Sequence, residues 1–140
     1  MAAFNKFSSF VEAMAEKKHD LGADVLKCML TNTAPIAANA VKADLVDIAA
    51  GNGYTAGGNQ AVQTSSAQAA GVYKLVCSDP ALWTCVTAPM ASFRYVAMYN
   101  DTALNKELIG WWDYGSSITL QIGETFLHDL DATNGVLTVT

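Results

Sequence analysis

Few residues here carry intrinsic reactivity: three cysteines, Cys28, Cys77 and Cys85, and two histidines, His19 and His128. A thiol beside an imidazole is a nucleophile–base pair, and Cys28 or Cys85 with His128 supplies both residue types. No spacing selects such a pair, and no Gly-x-Ser-x-Gly elbow is present. Nor is there a Cys-x-x-Cys or a Cys/His cluster of the kind a zinc ion needs. The cysteines read as small buried hydrophobes. The alternatives are a Cys77–Cys85 disulfide, or a Cys28 contact between subunits, in a protein that later meets an oxidising exterior.

A second candidate is Trp111-Trp112-Asp113, because aromatic faces beside a carboxylate suit a saccharide. The competing reading places the tryptophans in the core and Asp113 at a strand end. Asp79, Asp101, Glu107, Asp129 and Asp131 fall at loops and strand ends. They lack the ligand spacing of a calcium loop, and nothing singles out a pair for glycoside hydrolysis. Residues 51–59, Gly51-Asn52-Gly53-Tyr54-Thr55-Ala56-Gly57-Gly58-Asn59, superficially resemble a phosphate loop. No buried strand feeds them, no helix pattern follows, and no Lys-Ser/Thr pair closes them. Backbone turns that need positive φ explain the glycines better. The expectation is a non-enzymatic chain with no catalytic residue, metal or cofactor.

The elements that would position these groups centre on residues 93–114. Phe93 to Tyr99 and Leu108 to Tyr114 are rich in aromatic and β-branched residues, and the polar stretch between them supplies turn formers. This pattern predicts an antiparallel hairpin at the centre of the core. Strict alternation groups Phe93, Tyr95, Ala97 and Tyr99 on one face, and Leu108, Gly110, Trp112 and Tyr114 on one face of the partner strand. Phe4, Phe7, Phe10, Val11 and Met14 recur at spacings of three and four, predicting an amphipathic helix within residues 1–22 that ends near Gly22. This apolar stripe is the candidate docking or assembly surface.

Residues 23–140 read as a β-domain. Strands are expected at 25–31, 60–66, 72–78, 82–87, 118–122, 125–130 and 136–140 besides the hairpin. That is about eight or nine short strands, as in an antiparallel β-sandwich or jelly-roll-like barrel. At 140 residues the whole chain reads as one domain. Lys and Arg total 8 against a net charge of −5, Arg94 is the one arginine, and no basic stripe exists to neutralise phosphates. Nucleic-acid binding is therefore not expected. No apolar run reaches the ~20 residues of a membrane span. The N-terminus, interrupted by Glu12, Glu16, Lys17, Lys18 and His19, lacks a secretory pattern, so synthesis in a cytoplasm is expected.

Six segments together resemble a group of small tailed-bacteriophage proteins of about this length. They are Phe10-Val11-Glu12, His19-Asp20-Leu21-Gly22, Leu30-Thr31-Asn32-Thr33-Ala34-Pro35, residues 51–58 of the glycine-rich loop, Tyr99-Asn100-Asp101-Thr102, and Leu108-Ile109-Gly110-Trp111-Trp112-Asp113-Tyr114-Gly115. They run in order through almost the whole chain. The resemblance implies a virion structural protein, similar in size and β content to the decoration, or cement, proteins of phage heads. It implies the major capsid protein and further copies of the chain, as a homodimer or homotrimer, for partners. The implied location is the head surface, after synthesis in the host cytoplasm. The alternatives are a tail, neck or fibre-associated protein, or a carbohydrate-binding module using Trp111, Trp112 and Asp113. The three cysteines are atypical of that group, which implies an added crosslink or no role.

Overall fold

The structure, a computed structural model, describes residues 2–140. In chain order the elements are β1 (Phe4–Lys6), α1 (Ser9–Ala15), β2 (Leu26–Thr31), β3 (Asn59–Gln60), β4 (Gln63–Ala69), β5 (Val72–Cys77), β6 (Trp83–Thr84), β7 (Phe93–Asn100), β8 (Leu108–Ile118), β9 (Thr125–Phe126) and β10 (Leu137–Val139). A single 3₁₀ turn, Lys42–Asp44, lies between β2 and β3. The architecture is mainly β and entirely antiparallel in its strand pairing. A five-stranded sheet has the order β1-β8-β7-β2-β3, a three-stranded sheet β10-β5-β4, and β6 pairs with β9.

The predicted hairpin is the β7–β8 pair, and it lies in the middle of the larger sheet. One face of that sheet packs against the two smaller sheets, in a sandwich-like arrangement. Leu26, Cys28, Leu30, Phe93, Val96, Met98 and Trp112 meet Leu75, Cys77, Trp83, Phe126 and Leu137 in one core. The other face carries a second cluster, Met29, Ala97, Tyr99 and Leu108, covered by Phe7 and Leu45. Strict alternation fails near both ends of the pair, at Phe93 and at Leu108 and Ile109. Register shifts between Phe93 and Tyr95, and between Met98 and Tyr99, put Phe93 with Val96 and Met98, and Leu108 with Tyr99. A bulge inserts residues on one strand, so the side chains beyond it change faces. Gly115 and Ser116 fall in the first of these irregularities. The strand therefore runs past the expected hairpin end at Tyr114 to Ile118, and no separate strand forms at 118–122, since residues 119–124 are irregular.

The N-terminal segment differs most from expectation. Its helix has only seven residues, and Phe4 lies on a strand paired in register with Trp112. The Phe4 ring lies over Gly110, where an added Cβ would stand 2.1 Å from Phe4 Cε2. Phe7 is fully buried in the second cluster with its ring 4.5 Å from Trp111, and Phe10 is buried in the main core. The helix ends at Ala15 rather than near Gly22. Lys17 takes a left-handed φ of 63°, and the N–H groups of Lys17 and Lys18 return to Met14 O and Ala13 O. Residues 2–22 thus hold an edge strand of the central sheet, β1, and one short helix rather than a single helix.

Candidate functional site

The most developed surface feature is a groove between two strand edges. β1 ends one side of the large sheet and β10 one side of the three-stranded sheet, and among the described residues no strand pairs with the outer edge of either. Two adjoining cavities, of about 530 and 410 Å³, run between them, and both include Lys6, Phe10 and Thr138. Phe10 and Phe4 form the floor. Val11 and Met14 on α1 wall one side, and Val139 of β10 the other. Val11 is 56% exposed and Val139 38%. Four of the five residues of the predicted docking stripe, Phe4, Phe10, Val11 and Met14, therefore line one groove, although two elements supply them. Phe7 lies elsewhere. The opposite wall, Leu137–Val139, had no signal in the sequence, because only the folded topology brings β10 beside α1.

Chemically the groove presents apolar side chains, unpaired backbone N–H and C=O groups along two edges, and the ammonium of Lys6. Unpaired strand edges are templates for another strand.

The candidate saccharide triplet is divided by the sheet. Trp112 is buried in the main core, where its ring meets Phe4 at 5.3 Å and His128 at 4.4 Å. Trp111 faces the other side, half-buried against Phe7. Asp113 is engaged by both arms of the Arg94 guanidinium, at 2.8 and 3.0 Å. That guanidinium, with the Gly115 N–H, holds the Asp113 carboxyl below its usual range. The two tryptophans cannot form one platform, and the carboxylate is already paired.

All three cysteines are buried free thiols. Cys28 is fully enclosed within β2, an inner strand of the large sheet, rather than on the surface that a contact between subunits would need. Burial pushes its thiol up, with Cys77 nearby adding to the shift. Burial likewise pushes Cys77 up to about 11. The Cys85 thiol donates to Ala88 O at 3.1 Å, in place of the proposed bond to Cys77. Raised thiols shielded from solvent react slowly. Alkylation by a maleimide is expected only at the rate of global unfolding, and a reductant is expected to leave the melting temperature unchanged. A melting temperature that drops under reductant would restore the Cys77–Cys85 disulfide.

The glycine-rich loop is a structural clamp. Asp47 accepts hydrogen bonds from the Tyr54 hydroxyl, from Gly57 N–H at 2.8 Å and from Lys42 Nζ at 3.1 Å. The Tyr54 oxygen accepts Leu30 N–H, and Tyr99 O–H donates to Gly57 O. Burial and the Asp47 bond hold the Tyr54 phenol well above its usual value. These bonds tie the loop to β2 and β7, a use that its composition did not disclose.

Both histidines are buried. His128 Nδ1 shares a 2.6 Å hydrogen bond with the Tyr114 hydroxyl, and burial lowers its pKa to about 4. His19 belongs to a polar network with Asp24, Asn100 and Glu107. The two rings lie in separate places, and no thiol hydrogen-bonds to either. Among the described residues no group of three or more His, Cys, Asp or Glu side chains could hold a metal ion. No helix among them is long and apolar enough to cross a membrane. No family model, no curated protein and no solved structure matches the chain.

Proposed function

We propose that the chain is a structural protein of a tailed-phage virion, a decoration subunit that docks on the outer surface of the head and braces contacts between major capsid subunits. One observation carries this reading: the apolar groove lined by α1 and by two unpaired strand edges, mounted on a sandwich whose central sheet is buried on both faces. A rigid β scaffold with a free edge can add a segment of another chain through backbone hydrogen bonds, with apolar pockets selecting its side chains. Repeated over a shell, modest contacts sum by multivalency. Low charge and the resemblance to small phage virion proteins agree with this role. Self-association as a dimer or trimer belongs to the same proposal.

The test is incorporation. Val11→Glu and Val139→Glu together place two carboxylates on the groove walls at exposed positions, so the melting temperature is expected to stay within about 2 °C of wild type. Incorporation into virions is expected to fall about tenfold or more, since apolar wall contacts at the centre of an interface carry most of its energy. Quantitative mass spectrometry of purified particles reads both the loss and the wild-type copy number. Hundreds of copies per particle support the head. A few to a dozen would favour the tail or neck. Undiminished incorporation of the double variant would remove the groove from the argument.

A further inference from the structure

Four hydrogen bonds give the Asn100 amide a single orientation. Its Oδ1 accepts the backbone N–H groups of Thr102 at 3.0 Å and Ala103 at 3.1 Å, and its Nδ2 donates to Asp24 Oδ2 at 2.6 Å. The other Nδ2 hydrogen meets His19 Nδ1 at 3.1 Å. An amide nitrogen is a donor only, so Nδ1 must be the acceptor, and neutral His19 carries its proton on Nε2. That Nε2 is buried without a partner, and so is Glu107 Oε2.

An imidazolium donates from both nitrogens. A proton added at Nδ1 would set donor against donor across the His19–Asn100 contact. Asn100 cannot turn its amide over in response. Doing so would abandon the Thr102 and Ala103 N–H groups and put its oxygen against the Asp24 carboxylate. The charged groups acting on the ring are Glu107 just before β8, Asp24 before β2, and Lys18 from its own segment. From α1 the neighbour is the uncharged Phe10 ring at 5.4 Å. Lys17 and Asp20 line the open cavity of about 430 Å³ alongside. Glu107 and Asp24 favour the charged ring, but burial outweighs them and holds its pKa below 6.5.

We propose that His19 is a proton-operated latch on the 101–106 loop. With the ring neutral, His19 holds Asn100, and Asn100 holds the loop through Thr102 and Ala103. A proton taken from water at Nδ1 breaks the His19–Asn100 bond. The imidazolium turns to the unpaired Glu107 Oε2. The Asn100 amide, pushed by a donor where it had an acceptor, then holds Thr102 and Ala103 less firmly, while Thr102 Oγ1 and Asp101 keep their bonds to Val25, Lys27 and Lys106 and pin the start of the loop. The 95% exposed Leu104 follows Ala103 and borders the cavity beside the latch, so the loosening reaches that surface. The latch does not depend on what occupies the groove.

Nitrogen-15 NMR on the full chain tests this directly. Near neutral pH the long-range spectrum of His19 is expected to show the Nε2–H tautomer. As pH falls, amide protection at Thr102 and Ala103, corrected for intrinsic exchange, is expected to drop about tenfold or more, with the midpoint of the His19 ring. In His19→Gln the side-chain oxygen accepts from Asn100 without titrating, so protection should stay flat through the same range. An Nδ1–H tautomer, flat wild-type protection while the ring titrates, or an unchanged titration in His19→Gln would each overturn the latch. The tautomer and the wild-type comparison decide the matter if the variant does not fold.

Discussion

Gly58→Ala is expected to be among the most damaging single methyl groups this chain can receive. Gly58 has φ +78°, a left-handed conformation in which an L side chain costs roughly 1–2 kcal/mol. The added Cβ would also stand 1.9 Å from Cys28 O, 2.7 Å from Cys28 C and 2.8 Å from Met29 Cα. These are backbone atoms of β2, a strand hydrogen-bonded on both sides within the central sheet, and no rotamer change relieves the contact. The clash requires β2 to move away from the loop, and with it the Asp47–Tyr54–Gly57 bonds that tie the two together. Overpacking of this kind costs a further ~1–3 kcal/mol or more. The sum, about 2–5 kcal/mol, consumes much of a stability that for a single domain is only about 5–15 kcal/mol. Gly71→Ala separates the two contributions. Gly71 has a similar φ of +82° but nothing within 4 Å of the added Cβ, so only the conformational cost applies. Urea midpoints of the two variants read the difference. Equal midpoints would mean that the Gly58–Cys28 approach is looser than the structure has it.

That contrast also marks what the sequence could disclose. The glycine-rich loop was legible as a run needing unusual backbone angles, because Gly is the residue type that adopts them at low cost. Which glycine abuts another strand was not legible, since Cys28 and Gly58 are brought together only by the fold. The β7–β8 hairpin was legible because its aromatic and β-branched residues suit only a pleated, half-buried surface. Its bulges were not, and they moved Phe93 and Leu108 to faces that alternation denies them. The N-terminus misled for a definite reason. Phe4, Phe7 and Phe10 at intervals of three satisfy a helical stripe, but they equally serve a three-residue strand, a connection and the start of a helix. The arrangement that decides between them, Phe4 across from Trp112 with its ring over Gly110, spans more than a hundred residues. One wall of the groove followed from hydrophobicity. The other wall and the His19–Asn100–Asp24 network rest on long-range contacts to which no local pattern points.

Acid is expected to weaken the fold in two stages, the first set by the histidines. His128 has a pKa of about 4 in the folded protein against 6.5 for the free side chain. Between those values the unfolded chain has taken up a proton that the native chain refuses, so stability rises with pH across the window and falls as pH is lowered through it. Going from pH ~7 to ~4, the loss from this one ring is about 3 kcal/mol. The cause is burial. The ring is fully enclosed beside Trp112, its Nε2 has no partner, and its one hydrogen bond is to a neutral phenol that cannot balance a positive charge. His19, also held below 6.5, acts in the same direction. The second stage begins only below about pH 4. There Asp44, Asp101, Asp113 and Asp131, whose folded values lie under the usual 3.8, lose the hydrogen bonds that favour their charged forms. His128→Phe separates the stages. The variant loses stability at neutral pH because the Tyr114 hydroxyl is left unpaired, at about 1–3 kcal/mol. Its decline between pH ~7 and ~4 should nevertheless be shallower than wild type by about 3 kcal/mol. Urea unfolding at a series of pH values measures both slopes. Parallel curves would place the His128 ring in contact with water, and the acid sensitivity would then have to arise at His19 and the carboxylates alone.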